Sequence, residues 1–404
     1  MASAPGPRRH TTLDRPARVS SPTCMSRPTR SKARRRLRLL LAIGALTGLA
    51  AAYRFALKYR ERVGLPHRSP VDTSPADFGL EFDDVRIPAG DHELAGWFVR
   101  ATSDGPTDNS STPESPAPKR RRAERATAAE PRPGIVVVHG WESNRGRTFA
   151  HVRYLHAAGF HCLVFDVRGH GDSPPETLPV NVPEFADDTI AAVRWLADRP
   201  DVTAVGVLGH SMGGAGAIVA ASREPSIGAV VSISAPSDLV RMTRKTFEMA
   251  EMHIPEPIAT PLAWFTAAIL LVPRRHSVED ASAVTAAARY HGPLLLVHGA
   301  QDHGVPLEHL ELIGRAAAGR RGVDHPPVET LVLPEFGHRW LYEDAGCRRK
   351  IASFFARWLG GPVAPEQAGE RAAACVVERP SDPIYGFGAL AGTTPPQGRS
   401  IVIS

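Results

Sequence analysis

Cysteine is scarce in this chain: Cys24, Cys162, Cys347 and Cys375 are the four in 404 residues. No two form a Cys-x-x-Cys pair, and no spacing matches a zinc site or a regular disulfide framework. That excludes a stapled mini-scaffold and a zinc module as the organising principle. Cys162 lies in an apolar run, where a small core residue is expected rather than a nucleophile. Negative charge is nearly missing from residues 1–62, which carry 2 Asp/Glu against 15 Lys/Arg. The whole chain is only +6, so everything beyond that segment is net acidic. An acidic folded region argues against nucleic acid as a partner.

The basic segment leads into an apolar run. Residues 1–36 are rich in Pro, Arg, Ser and Thr and read as a disordered basic amino terminus. Leu39 to Tyr53 is free of charge over 15 residues, and Leu37 to Leu57 gives 21 if Arg38 and Arg54 snorkel to the interfaces. A spanning helix needs about 20 apolar residues, so residues 37–60 are expected to form a transmembrane anchor or a signal segment. Residues 37–57 would be the membrane contact. The alternatives are secretion after cleavage near Ala50-Ala51-Ala52, and a buried or surface helix. The basic residues before the run outnumber those after it, which points the following domain to the extracytoplasmic side.

The folded region is expected at 77–360. Phe78–Pro88 and Glu93–Arg100 read as paired strands. Residues 101–133 are polar, carry the run Lys119-Arg120-Arg121-Arg122, and read as a disordered insertion. From Gly134 apolar β-branched runs alternate with helix-like stretches. Strands are expected at 135–138, 160–167, 204–208, 229–234, 294–297 and 328–333, with helices between them. This alternation predicts an α/β fold, a mostly parallel sheet with helices on both faces. Residues 237–291 interrupt it as a small helical lid. There, prolines at 255, 257 and 261 precede an apolar helical run from Leu262 to Val272. Eleven residues are too few to span a bilayer. Residues 361–404 turn Pro/Gly/Ala-rich and read as a flexible tail.

Residues 209–214 read Gly-His-Ser-Met-Gly-Gly. An apolar run precedes Ser211 and a small-residue helical run follows it. Strand, sharp turn, helix is the setting in which a Gly-x-Ser-x-Gly serine stands exposed at the end of a sheet. Glycines two before and two after allow strand and helix to approach. A serine nucleophile needs a base and an acid to orient that base. On such a sheet they follow in the order acid, then histidine. Asp302 falls on the loop beyond strand 294–297, and His338 on the loop beyond strand 328–333. Asp238, after strand 229–234, is a rival acid. Two backbone donors are expected for an oxyanion: the amide of Met212, and that of Trp141 in His139-Gly140-Trp141 after the first buried parallel strand. His139, His170, His210 and His298 are expected to be structural.

These residues together resemble the α/β-hydrolase superfamily, in its serine aminopeptidase-like and monoacylglycerol-lipase-like branch. The resemblance is carried by His139-Gly140-Trp141, Asp166-Val167-Arg168-Gly169-His170-Gly171-Asp172-Ser173, the Ser211 turn, His298-Gly299 with Asp302, and Gly337-His338. It implies an α/β-hydrolase fold and a cofactor-free serine hydrolase acting on an ester, thioester or amide. The expected enzyme cleaves a carboxylic ester of a small acyl or lipid-like substrate through an acyl-enzyme on Ser211. An aminopeptidase or acylaminoacyl-type peptidase is the alternative. Outside enzymes, the alternative is a catalytically silent binding protein.

Overall fold

A computed structural model describes residues 29–102, 131–320 and 325–377. The chain divides into two compact units, Met1–Ala51 and Ala52–Ser404. One helix, α1 (Thr29–Val63), runs through the boundary. It starts directly after Pro28, and no proline recurs before Pro66. The Arg-, Leu- and Ala-rich sequence between them is made of strong helix formers. Residues 29–36 are therefore helical, correcting the disorder expected there; residues 1–28 lie outside the described ones. Leu39, Leu40, Leu46 and Leu49 are exposed on this helix. By length and composition it is able to cross a membrane.

The second unit is built on a sheet of eight strands among the described residues, in the order β1-β2-β4-β3-β5-β6-β7-β8. β1 (Phe82–Ala89) and β2 (His92–Val99) form an antiparallel edge, and β2 also pairs antiparallel with β4 (His161–Phe165). The others are β3 (Arg132–Val138), β5 (Val202–His210), β6 (Ile227–Ile233), β7 (Leu294–Gly299) and β8 (Glu329–Leu333). All pairings from β4 through β8 are parallel. β3 begins at Arg132 because its amide donates to Asp201 O at 3.0 Å. The insertion expected at 101–133 thus ends sooner, and 103–130 lie outside the described residues.

Helices cover both faces. They are α2 (Phe149–Ala157), α3 (Val182–Ala197) and α4 (Met212–Ala221), then α5 (Leu239–Met249), α6 (Glu256–Leu271) and α7 (Ala283–Ala287) in the insertion after β6, and finally α8 (Glu308–Ala318) and α9 (Ala345–Leu359). Two apolar clusters lie on opposite sides of the sheet, one with Phe98, Phe185 and Ile218, the other with Tyr154, Phe354 and Phe355. Side chains alternate along β3: Val136 and Val138 join the first, Ile135 and Val137 the second. This is the doubly covered α/β architecture.

Four boundaries differ from the sequence reading. α6 starts at Glu256, not after the prolines. Pro257 falls in its first turn, where its missing N–H costs nothing, and Pro261 is accommodated inside the helix. The helix is long and apolar enough to count as a span by composition, yet Ala263, Thr266, Ala267 and Leu270 are buried in the domain. The last sheet-covering helix begins at Ala345 rather than Trp340, because Asp344 caps it by accepting the Cys347 amide. Residues 365–374, expected in a flexible tail, form α10 (Pro365–Ala374). It is tied down by the buried Arg348 guanidinium, which donates to Ala372 O and Ala373 O, and by burial of Ala368 and Ala372. Residues 378–404 lie outside the described ones. Finally, the hydrolase unit begins at Ala52, ahead of residue 77. Arg68 donates to Gly171 O and Ser173 O, Ser69 to Glu142 O, and Asn144 to Pro70 O. Residues 64–74 are sewn to the loops beyond β3 and β4.

Candidate active site

Ser211 sits between β5 and α4 at φ 56°, ψ −122°, a conformation that costs a non-glycine residue strain. Its amide donates to Ile233 O at 2.8 Å, while its carbonyl accepts from Gly214 N at 2.9 Å. Tight packing dictates the flanking glycines. A Cβ on Gly209 would lie 2.2 Å from Gly213 O, and one on Gly213 would lie 2.3 Å from His139 O. Both obstacles are backbone, so nothing can yield cheaply. Ser211 is buried except for a sliver of surface.

His338 stands on the loop after β8. Its Nε2 is 3.0 Å from Ser211 Oγ, and its Nδ1 is 2.7 Å from Asp302 Oδ2. Asp302, on the loop after β7, also accepts the amides of Gly304 and Val305 through Oδ1, at 3.0 and 2.8 Å. His298 Nε2 lies 3.5 Å from Asp302 Oδ2. Burial alone would raise the Asp302 carboxyl. Hydrogen bonds from His298 and His338 and the Val305 amide overcome it and hold the group well below the usual carboxylate range. Asp302 is therefore ionised throughout neutral pH. The structure brings Ser211, His338 and Asp302 together. The rival Asp238 is engaged elsewhere: it caps α5 by accepting Arg241 N at 2.9 Å and pairs with the Arg241 guanidinium at 2.7 Å.

The loop carrying Trp141 closes over Ser211. A Cβ on Gly140 would come within 3.1 Å of the Ser211 Cβ. His139 fixes this loop from behind. Its Nε2 accepts the Val167 amide at 3.0 Å, so its Nδ1 carries the proton and donates to Gly140 O at 2.7 Å. Burial pushes this imidazole down to about 4, which keeps it neutral and in that tautomer. In a trans peptide the N–H points opposite to the C=O. The Trp141 N–H is thus directed away from His139. Met212 opens α4, so its amide is one of the unpaired donors at a helix amino terminus.

Two contributions escaped the sequence reading. His298 reaches Asp302 as well as Val305 O, at 2.7 Å. His210 Nε2 donates to His338 O at 2.8 Å and so holds the loop that carries His338. Only their positions beside Gly299 and Ser211 hinted at this. The Asp166–Ser173 segment acts as a scaffold. Asp166 accepts the amides of Arg145 and Asp172 and pairs with the Arg145 guanidinium. Arg168 pairs with buried Asp188, and the His170 ring packs edge-on to Trp141 at 5.5 Å.

A largely apolar cavity opens beside Ser211. It is lined by Trp141, Met212, Val180, Val182, Pro236, Leu239, Met242, Leu270 and Val305 among others. Asp238 is the one charged side chain in its lining.

Comparison with known proteins agrees with this architecture. Residues 129–269 match the family model described as serine aminopeptidase, S33. An uncharacterized protein of Mycobacterium tuberculosis is 25% identical over 303 residues, 74% of this chain and 87% of that one. A monoacylglycerol lipase of Mycolicibacterium smegmatis is 32% identical over 110 residues, 27% of this chain and 39% of the lipase. The solved esterase Pf2001 of Pyrococcus furiosus superposes with a TM-score of 0.54 at 22% identity, covering 74% of this chain and 98% of the esterase. The chain belongs to the α/β-hydrolase superfamily. These similarities support a serine hydrolase of the esterase or peptidase type.

Proposed function

We propose that the protein cleaves carboxylic esters through an acyl-enzyme on Ser211. The observation that carries this is one imidazole bridging a serine hydroxyl at 3.0 Å and an ionised carboxylate at 2.7 Å. His338 Nε2 takes the Ser211 proton as Oγ forms a bond to the substrate carbonyl carbon. The carbonyl oxygen becomes an anion facing the Trp141 and Met212 amides. Collapse breaks the ester C–O bond, and the departing alkoxide takes the proton from His338. Water then repeats the sequence and frees the acid. Asp302 keeps the proton on His338 Nδ1, so that Nε2 faces Ser211.

An ester fits better than a peptide with a free amine. The cavity offers apolar walls, and its single carboxylate, Asp238, is neutralised by Arg241. A fluorophosphonate probe is expected to label the wild type and to lose all labelling in Ser211→Ala. Among labelled preparations, p-nitrophenyl esters should turn over and aminoacyl anilides should not. Labelling that persists in Ser211→Ala would place the nucleophile elsewhere.

The apolar stretch of α1 supports a second element of the reading: residues 37–57 anchor the enzyme at a membrane, with Phe55 and Ala56 at the end of that stretch packed against protein rather than lipid. The protein should then stay with membranes through an alkaline carbonate wash. Release into the supernatant would favour cleavage or peripheral attachment.

A further inference from the structure

The cavity beside Ser211 has a wall that the hydrolase motifs do not supply. Tyr59 and Val63, at the end of α1, line it together with Ser211, Leu239 and Met242. They are four residues apart, on one helical face. This end of α1 is fixed within the same compact unit as the sheet. Ala56 is fully buried, and the rings of Phe55 and Tyr59 meet Phe247 of α5 edge-on, with centroids 5.6 and 6.0 Å apart. Just beyond, Gly64 O accepts the amide of Val180, another lining residue, at 2.8 Å.

The lining is mostly apolar, with Asp238 paired to Arg241, and suits an alkyl chain that continues from the carbonyl at Ser211. The space is short. The cavity holds about 80 Å³, less than the ~150 Å³ of an engineered protein cavity that admits benzene. A long chain overfills this space and is held only by extending through the cavity's opening or by displacing a wall. Tyr59 is the bulkiest side chain contributed by α1 to that wall.

We propose that residues 52–63 of α1 are a wall of the acyl site, and that Tyr59 sets the acyl-chain length the enzyme accepts. The inference rests on Ser211 being the nucleophile. The wild type selects short acyl groups, and the helix that leads out of the apolar amino-terminal stretch determines specificity as well as location.

The test is the chain-length profile of the full-length protein on p-nitrophenyl esters from acetate to decanoate. A single methylene in an apolar pocket shifts specificity by roughly 10–200-fold. Tyr59→Ala should therefore raise the decanoate-to-acetate ratio of kcat/KM by about tenfold or more. Tyr59→Trp, and Val63→Phe one turn on, should lower it. Opposite shifts from opposite changes in size are not produced by general loosening, and a thermal melt identifies any variant that fails to fold. Profiles within about twofold of wild type in the folded variants, with normal fluorophosphonate labelling, would overturn this inference alone. Absence of Ser211 labelling in the wild type would overturn the underlying reading and this inference with it.

Discussion

Asp302→Asn is expected to lower turnover by roughly four orders of magnitude, the loss caused by the same change in a serine protease triad. The amide is nearly the same size, and Gly304 and Val305 can still donate to its oxygen, so the loop should keep its course. What changes is the partner of His338 Nδ1. The carboxylate accepts a proton there at 2.7 Å. An amide that turns its NH2 toward the ring stabilises the opposite tautomer, with the proton on Nε2 facing Ser211. That histidine cannot take the serine proton. The imidazolium that forms during attack also loses its counter-charge. Asp238→Asn makes the contrast. Asparagine caps a helix about as well as aspartate, so turnover should stay within about tenfold of wild type. Steady-state kinetics on one ester settle both, with the melting temperature checked alongside. A mild Asp302→Asn and an inactive Asp238→Asn would move the acid to the loop after β6.

The candidate site was legible in the sequence because the chemistry proposed for it is written in local signals. Gly209 and Gly213 announce a turn too tight for any Cβ. Asp302 follows the apolar run Leu294–Val297, a buried strand, and His338 follows β8, a half-exposed strand at the sheet edge. What the sequence hid depends on tertiary contact. His298 is readable as a structural histidine at the end of a strand, but nothing local says that its ring reaches Asp302. Nothing in the composition of 361–377 says that Arg348 will reach out of α9 to cap the carbonyl end of α10. Pro261 reads as a helix breaker until the buried Ala263, Ala267 and Leu270 show packing outweighing one lost hydrogen bond. Tyr59 was the least visible of all. It sits in a stretch dominated by the signal for a membrane anchor, and its role as a cavity wall exists only once α5 folds against it.

Lowering the pH from 6.5 toward 4 is expected to remove most of the net stability of the fold. Burial pushes His139 down to about 4 and His151 to about 3. Burial likewise takes His170 and His210 to about 3, with neighbouring histidines adding to the effect. In an unfolded chain each would titrate near 6.5. Between the two values the unfolded state binds protons that the folded state refuses, so stability falls as pH falls. The loss levels off only below about 3 to 4, where the folded imidazoles protonate too. Each group is worth about 1.4 kcal/mol per pH unit. Four together reach on the order of 5 kcal/mol per unit, against a total stability of about 5–15 kcal/mol. Asp302 does not share this window. Its folded value is depressed, so its contribution is complete above the unfolded carboxyl value near 3.9 and is lost only as pH drops below that. Urea unfolding at pH 7, 6 and 5 reads the slope directly, and a stability that stays flat across these points would contradict neutral burial of these rings. His170→Phe keeps the edge-on packing with Trp141 and Phe185 while deleting one titrating group, and should flatten the slope by about one proton. The same property bears on the proposed chemistry. His139 behind the Trp141 loop and His210 beneath His338 stay neutral at working pH, so each holds its neighbour through a fixed tautomer and leaves proton transfer to the one imidazole in contact with Ser211.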